Sequence, residues 1–358
     1  MMLLVALQET RHWNVERYVV TPNRAFPYGD RHTYGLYQKI WFERRGMQKL
    51  GYAMDRLIPQ SLKKAYGLVG DSEIDVVLDA SGFAYSDQWG PFYPGFTAKS
   101  SEIWKRRGCK FILLPQAFGP FRNPKVARPM RRVFSNATAI YARDQQSQHH
   151  VKSVYSGEVK VSPDFTNLLA PKEGTSDLLV APVAIVPNAR MIDKVKDGAP
   201  GYFDFLTEVS RSLGPNTAFF LIHEGVDDLR VAERVNSGLA QPLKIVSHED
   251  PLVLKWILSK CEMVVGSRFH ALISALSQGV PTYACGWSHK YEELFSDYQV
   301  SDCLIDLSNP LRSAQAVADA YSSNGLNDIQ SKLSRTKILM KDKSRILWDE
   351  ITSLVINR

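Results

Sequence analysis

Met263-Val264-Val265-Gly266-Ser267-Arg268-Phe269-His270-Ala271-Leu272 is the stretch that decides the reading of this chain. Met263 to Gly266 has the continuous apolar character of a buried parallel strand. Ala271 to Leu276 has the character of a buried helix, and Gly279-Val280-Pro281 stops it. Ser267 between them is a good N-cap, which places Arg268 and His270 in the first helical turn. A helix start offers unpaired N–H groups and partial positive charge, a setting for an anion. Arginine grips phosphate or carboxylate in a bidentate way, and histidine moves a proton near neutral pH. Strand, cap and helix in this order are the unit of an α/β fold with a site at its strand ends.

The same rhythm extends in both directions. Before it, strands fit Asp75–Ala80, Lys110–Leu114, Ala139–Tyr141 and Val159–Val161. The polar run from Ala170 to Asp177 reads as a linker. After it, strands fit Val183–Val186, Ala218–Ile222, Leu243–Val246, Thr282–Ala284 and Leu304–Ile305. Asp250 and Pro251 are a cap and a first helical position. From about Asp328 to Ile356 the spacing is helical, with Ile338, Leu339, Ile346, Leu347, Ile351, Leu354 and Val355 apolar. The division is into residues 1–172 and 178–358, two doubly wound Rossmann-type domains with a C-terminal helix and a cleft between them.

Composition narrows the functions. The chain has 358 residues, enough for two α/β domains, and 44% of them are apolar. No apolar run approaches the roughly 20 residues that span a bilayer. Met1 to Leu7 has neither a basic leader nor a cleavage site and reads as a buried helix. Cys109, Cys261, Cys285 and Cys303 are widely spaced and read as cytoplasmic free thiols. The net charge is +7, with clusters at Lys105-Arg106-Arg107 and at Arg128, Arg131 and Arg132. It suits an anionic ligand or peripheral contact with an anionic membrane face. No zinc-finger, RRM or helix-turn-helix pattern accompanies the charge, so nucleic acid is not the expected partner. Serine hydrolase, zinc protease, Walker and dinucleotide motifs are also missing from the sequence.

Other strand ends add candidates. Arg190 follows Val183–Val186 and would complete a two-arginine clamp. His223, with Glu224 and Asp227-Asp228, follows Ala218–Ile222. Trp287-Ser288-His289-Lys290 follows Thr282–Ala284 and suits a sugar or a carboxylate. Gly82 and Pro115-Gln116-Ala117-Phe118-Gly119-Pro120 end two strands of the first domain, where tight turns let backbone approach a ligand. Nothing in the spacing makes a metal site.

These blocks together resemble the polysaccharide pyruvyl transferase family. Its order is matched by the strand ending at Gly82, Leu114 to Pro120, Ala142-Arg143-Asp144 with Ser147, Ser162-Pro163-Asp164, His223 with Asp227-Asp228, and Gly266 to Leu272 through Pro281. The resemblance implies a GT-B-like pair of domains, with the donor site in the second and the acceptor on the first. It implies transfer of a pyruvyl group from phosphoenolpyruvate to sugar hydroxyls as a ketal, in surface polysaccharide synthesis, with phosphate released and no metal or other cofactor. The acceptor would be a sugar or a lipid-linked oligosaccharide. Arg268 and His270 would be catalytic, and Arg190, Ser267, Arg268 and Phe269 would hold the donor. His223, Trp287, His289, Gly82 and Gln116 are candidates for further substrate contacts. Family members usually open with a strand and a glycine-rich loop; here Met1 to Leu7 already reads as the helix that follows them. A nucleotide-sugar glycosyltransferase of the same fold, or a non-catalytic glycan-binding relative, are the alternatives.

Overall fold

The computed structural model of the protein describes residues 1–21, 28–40, 55, 57–193, 201–286, 288–323 and 325–356. Contacts divide the chain into two compact units. The N-terminal unit is Ala6–Val161 with Trp348–Arg358, and the C-terminal unit is Met1–Val5 with Ser162–Leu347.

In the N-terminal unit, β1 (Val19–Val20), β2 (Tyr37–Lys39) and β3 (Leu68–Val69) form a small parallel sheet. A second parallel sheet holds β4 (Val76–Asp79), β5 (Lys110–Gln116), β6 (Ala139–Ala142) and β7 (Lys160–Val161), in that order. Among the described residues no strand joins the two sheets. Helix Met2–Glu9 stands where the sequence predicts one, but only Val5 of it is buried, the rest being half-buried apart from the exposed Gln8. β5 runs past its expected end at Leu114, because the register shifts between Leu113 and Gln116, around Pro115. A bulge accommodates a proline that could not donate to a regular ladder. Helix Pro124–Asn136 starts at Asn123, whose side chain accepts from Lys125 N at 3.0 Å. It buries Val126, Ala127, Met130, Val133 and Phe134, one stripe at helical spacing.

The C-terminal unit holds β8 (Val183–Val186), β9 (Ala218–Ile222), β10 (Ile245–Ser247), β11 (Met263–Gly266) and β12 (Thr282–Ala284). Their order is β10-β9-β8-β11-β12, all parallel. This is the doubly wound order, and it reverses between β8 and β11. Every residue of β8, β9 and β11 is buried, which explains their unbroken apolar sequences. The expected strand at Leu243 starts two residues later. Asn236, at the end of a helix, brackets Leu243 by accepting from its N–H and donating to its carbonyl. Leu304–Ile305 is only a single bridge to Ala284, since the turn Ser301–Cys303 precedes it. Helix Pro251–Ser259 is capped as predicted, Asp250 accepting from Leu252 N at 2.9 Å. The last helix, Leu326–Ile356, buries Leu333, Met340, Leu347 and Ile351, whereas Ile338, Leu339 and Ile346 are exposed.

Candidate active site

β8 and β11 lie side by side, with Gly266 opposite Val186. The segments that leave them, Pro187 to Arg190 and Ser267 to His270, therefore emerge together at the switch point of the sheet. Gly266 is packed so closely that an added Cβ would come within 3.3 Å of Val186 Cβ. Ser267 N donates to Val186 O at 3.1 Å. Asn188 ties the two exits: its Nδ2 donates to Ser267 O at 2.7 Å and its Oδ1 accepts from Arg190 N at 2.9 Å. Tyr291 donates to the same Ser267 carbonyl at 2.9 Å. The Tyr202 hydroxyl accepts from Asn188 N at 2.9 Å and lies 2.8 Å from Ser267 Oγ. Burial raises the Tyr202 pKa, so the phenol stays protonated as a fixed strut.

This network corrects the predicted helix cap. Ser267 is 1% exposed and its hydroxyl faces Tyr202. The cap position falls one residue later, on Arg268, and the helix runs Phe269–Leu276. Arg268 makes no side-chain cap, so the first N–H groups of this helix are not satisfied by it. From Ala271 to Leu276 every residue of the helix is buried, five of them apolar and the sixth Ser274.

Arg268 points instead to two carboxylates. Its Nε donates to Asp228 Oδ2 at 2.6 Å and Nη2 to Asp228 Oδ1 at 2.5 Å, a bidentate pair. Its Nη1 donates to Glu224 at 2.5 Å. Asp228 has no solvent exposure and also accepts from Ala189 N at 2.9 Å. One carboxylate thus joins the exits of β8, β9 and β11. Desolvation would lower the Arg268 pKa, but Asp228 and Glu224 more than reverse it. Desolvation raises the Asp228 pKa, with Arg268 opposing. The two bonds together fix the plane of Arg268.

The remaining candidates take up positions around this pair. His270 is in the first turn, half-buried, with its Nε2 shielded from solvent. His223 follows β9 and is half-buried. Burial, then the charges of His270 and Arg268, push its pKa down to about 3, so it is neutral at physiological pH. Arg190 starts the short helix Arg190–Asp193 and is exposed, on the loop beside Arg268. Phe269 is a core residue, edge-on to Tyr291, with Lys290 Nζ 5.0 Å from its ring centre. His289 opens the helix His289–Asp297 and is half-buried. Trp287 lies outside the described residues. Gly82 and Gln116 belong to the other unit, where the structure brings them together. Ala117 N donates to Gly82 O at 2.9 Å, and Gly82 has a φ of +71°, which favours glycine. Gln116 is fully buried and donates to Asp79 O at 3.3 Å. Among the described residues no cluster of three metal-ligating side chains occurs. None of their helices is long and apolar enough to cross a membrane.

Three residues that matter here did not stand out in the sequence: Asn188, Tyr202 and Tyr291. Asp228 was visible with Asp227 at the exit of β9, but its partner was not: it shares a helix face with Val231, Ala232 and Val235 and pairs with Arg268. Tyr202 is distant in sequence and carried no signal.

Two sets of parallel strands, with a polar constellation at the switch point of the second, define the GT-B class of fold. Solved structures agree. A candidate UDP-N-acetylglucosamine 2-epimerase from Listeria monocytogenes matches with a TM-score of 0.61 at 11% identity, over 98% of this chain and 91% of that one. The UDP-GlcNAc 2-epimerase from Neisseria meningitidis, bound to UDP-GlcNAc, gives 0.56 at 11% identity, over 96% and 94%. A UDP-forming trehalose-phosphate synthase from Burkholderia xenovorans gives 0.53 at 11% identity, over 88% and 80%. At such identities the likeness concerns the fold alone. The chain belongs to the polysaccharide pyruvyl transferase family, whose sequence model matches residues 14–289. No curated protein sequence matches it.

Proposed function

We propose that this protein transfers a pyruvyl group from phosphoenolpyruvate to two hydroxyls of a sugar, forming a ketal and releasing phosphate. The observation that carries the reading is Arg268, locked by Asp228 beside His270 at the start of a helix. The Asp228 and Glu224 bonds use three of the five guanidinium donors, and the other two are assigned to the donor's phosphate or carboxylate. Arg190, on the adjoining loop, supplies the second positive charge. The helix N-terminus adds its partial charge to the same anion.

The reaction needs one C–O bond broken and two formed. A sugar hydroxyl adds to the enol carbon, the methylene carbon takes a proton, and phosphate leaves with its bridging oxygen. The second hydroxyl then closes the ketal. Of the two hydroxyl protons, one balances the new methyl group and one the phosphate. His270 is assigned the proton transfers, an effect worth roughly 10²–10⁴-fold in rate. His223, held neutral, is assigned a hydrogen bond to substrate rather than a charge. The acceptor is assigned to a saccharide of a surface polysaccharide or its lipid-linked precursor, and the reading requires no metal.

The test separates binding from turnover. His270→Ala should retain phosphoenolpyruvate binding and lose phosphate release. Arg268→Ala should weaken phosphoenolpyruvate binding, read by titration calorimetry. Wild-type turnover by His270→Ala removes His270 from the mechanism.

A further inference from the structure

The second constellation lies at the strand ends of the N-terminal unit. β4 ends at Asp79, and a loop of residues 80–91 leads into the helix Phe92–Arg106. On this loop Trp89 is 40% exposed, and Tyr93, in the first turn of the helix, is 53% exposed. Among the described residues no other tryptophan is exposed. Trp13 is half-buried, and Trp104, Trp256 and Trp348 are buried. Trp89 and Tyr93, four positions apart at one strand end, leave two aromatic rings open for stacking.

The loop is held in place. The Asp87 carboxylate accepts from Arg122 N at 2.7 Å and Asn123 N at 3.2 Å, and Asp87 N donates to Pro120 O at 3.1 Å. Tyr85 and Phe118 extend the sheet by one bridge beyond Asp79 and Gln116. Phe83 buttresses Trp89 edge-on, with ring centres 6.4 Å apart. Polar groups stand on the same loop. Asp79 accepts from Ser81 N at 3.0 Å, from the Ser81 hydroxyl, and from Tyr85 at 2.5 Å. Ser81 is exposed and Asp79 is half-buried. Gln116, beside them, has an Oε1 that accepts no hydrogen bond among the described residues.

We propose that residues 79–93 form a saccharide-binding platform, with Trp89 as the stacking face, Tyr93 as a second aromatic wall, and Asp79 and Ser81 as hydroxyl partners. The electron-rich face of an indole attracts the C–H face of a pyranose, while carboxylate and hydroxyl groups take its O–H groups. A preformed loop keeps the ordering cost of binding small. The charge selects among partners. Residues 79–93 contain Asp79 and Asp87 but no Lys or Arg, which disfavours an anionic lipid surface. The inference rests on the pyruvyl-transfer reading only in taking a saccharide as the ligand class.

The test uses the full-length protein with methyl β-D-glucopyranoside, methyl β-D-galactopyranoside and methyl α-D-mannopyranoside as probes. Saturation-transfer NMR should show contact with at least one glycoside, through its C–H face. Trp89→Ala should weaken that binding about tenfold, Trp89→Phe should keep most of it, and Tyr93→Ala should weaken it less. Unchanged melting temperatures establish that the variants fold, and the exposed Tyr93 provides the arm least able to disturb folding. No glycoside signal in the wild type, or an equal signal in Trp89→Ala and Tyr93→Ala, overturns the platform. So does co-sedimentation with phosphatidylglycerol vesicles that depends on Trp89 while the glycosides give no signal. Phosphoenolpyruvate is added to the same samples in a thermal-shift arm. A shift without glycoside binding overturns the platform and leaves the donor reading standing. Glycoside binding without a shift supports the platform and counts against the donor reading.

Discussion

Replacing Asp228 with Asn removes one negative charge from the point where three strand exits meet. Asp228 Oδ1 serves both Ala189 N and Arg268 Nη2, and Oδ2 serves Arg268 Nε. An amide has one acceptor oxygen. Whichever way it is turned, at least one of these donors meets an N–H. Removing one partner of a buried pair costs about 3–5 kcal/mol. The Arg268 side chain keeps 12% exposure and its bond to Glu224, so we expect about 2–4 kcal/mol here. At about 2–4 °C per kcal/mol, the melting temperature should fall by roughly 5–15 °C. Arg268 would also lose its fixed plane, and phosphoenolpyruvate affinity should drop about 10–100-fold, the scale of losing a charge-assisted bond. Glu224→Gln is the contrast. The Glu224 side chain is 70% exposed, so its removal should cost at most about 1 kcal/mol. Urea unfolding followed by circular dichroism and titration calorimetry with phosphoenolpyruvate read both effects. An Asp228→Asn protein within about 0.5 kcal/mol of wild type, with unchanged donor affinity, refutes the argument that Asp228 organises Arg268.

Two further outcomes concern pH. His223 ordinarily titrates near 6.5 but is held down at about 3 in the fold. Between those values the unfolded chain binds a proton that the folded chain does not, so stability should drop as the pH is lowered from 6.5, by up to about 1.4 kcal/mol per unit. His223→Gln should flatten the urea-midpoint profile between pH 6.5 and 4.5, and parallel profiles for the two proteins contradict this. Lys255 is 1% exposed, donates to Thr166 O at 3.2 Å, and is pulled down to about 7, by burial first and then by the Lys341 charge. Its unfolded value is higher, so stability should rise as pH goes from 7 towards 10.5. Lys255→Met should remove that rise and add about 1–3 kcal/mol at pH 7, and a less stable variant counts against the desolvation argument.

Where residues act through their neighbours in sequence, the chain could be read directly. β8, β9 and β12 stand where their apolar runs place them, and Asp250 caps the helix that Pro251 begins. The strand, turn and helix from Met263 to Leu276 held the candidate site, since a local pattern suffices to bring Arg268 and His270 to a strand end. What the chain hid depends on partners far along it. Ser267 loses the cap because Tyr202, 65 positions away, engages its hydroxyl. Arg268 reads as a grip for an anionic ligand, yet Asp228, 40 positions away, holds it. The strands β1 and β3, of two residues each, are too short to show a period. Trp89 reads as one more aromatic until burial separates it from the tryptophans of the core.

Product analysis is the decisive test of pyruvyl transfer. Purified protein is incubated with phosphoenolpyruvate and a panel of glycan acceptors, and both phosphate and acceptor mass are followed. Phosphate release should be matched by an acceptor carrying one pyruvate ketal, and both should be absent with His270→Ala. Phosphoenolpyruvate left intact across the panel, with every acceptor mass unchanged, contradicts pyruvyl transfer.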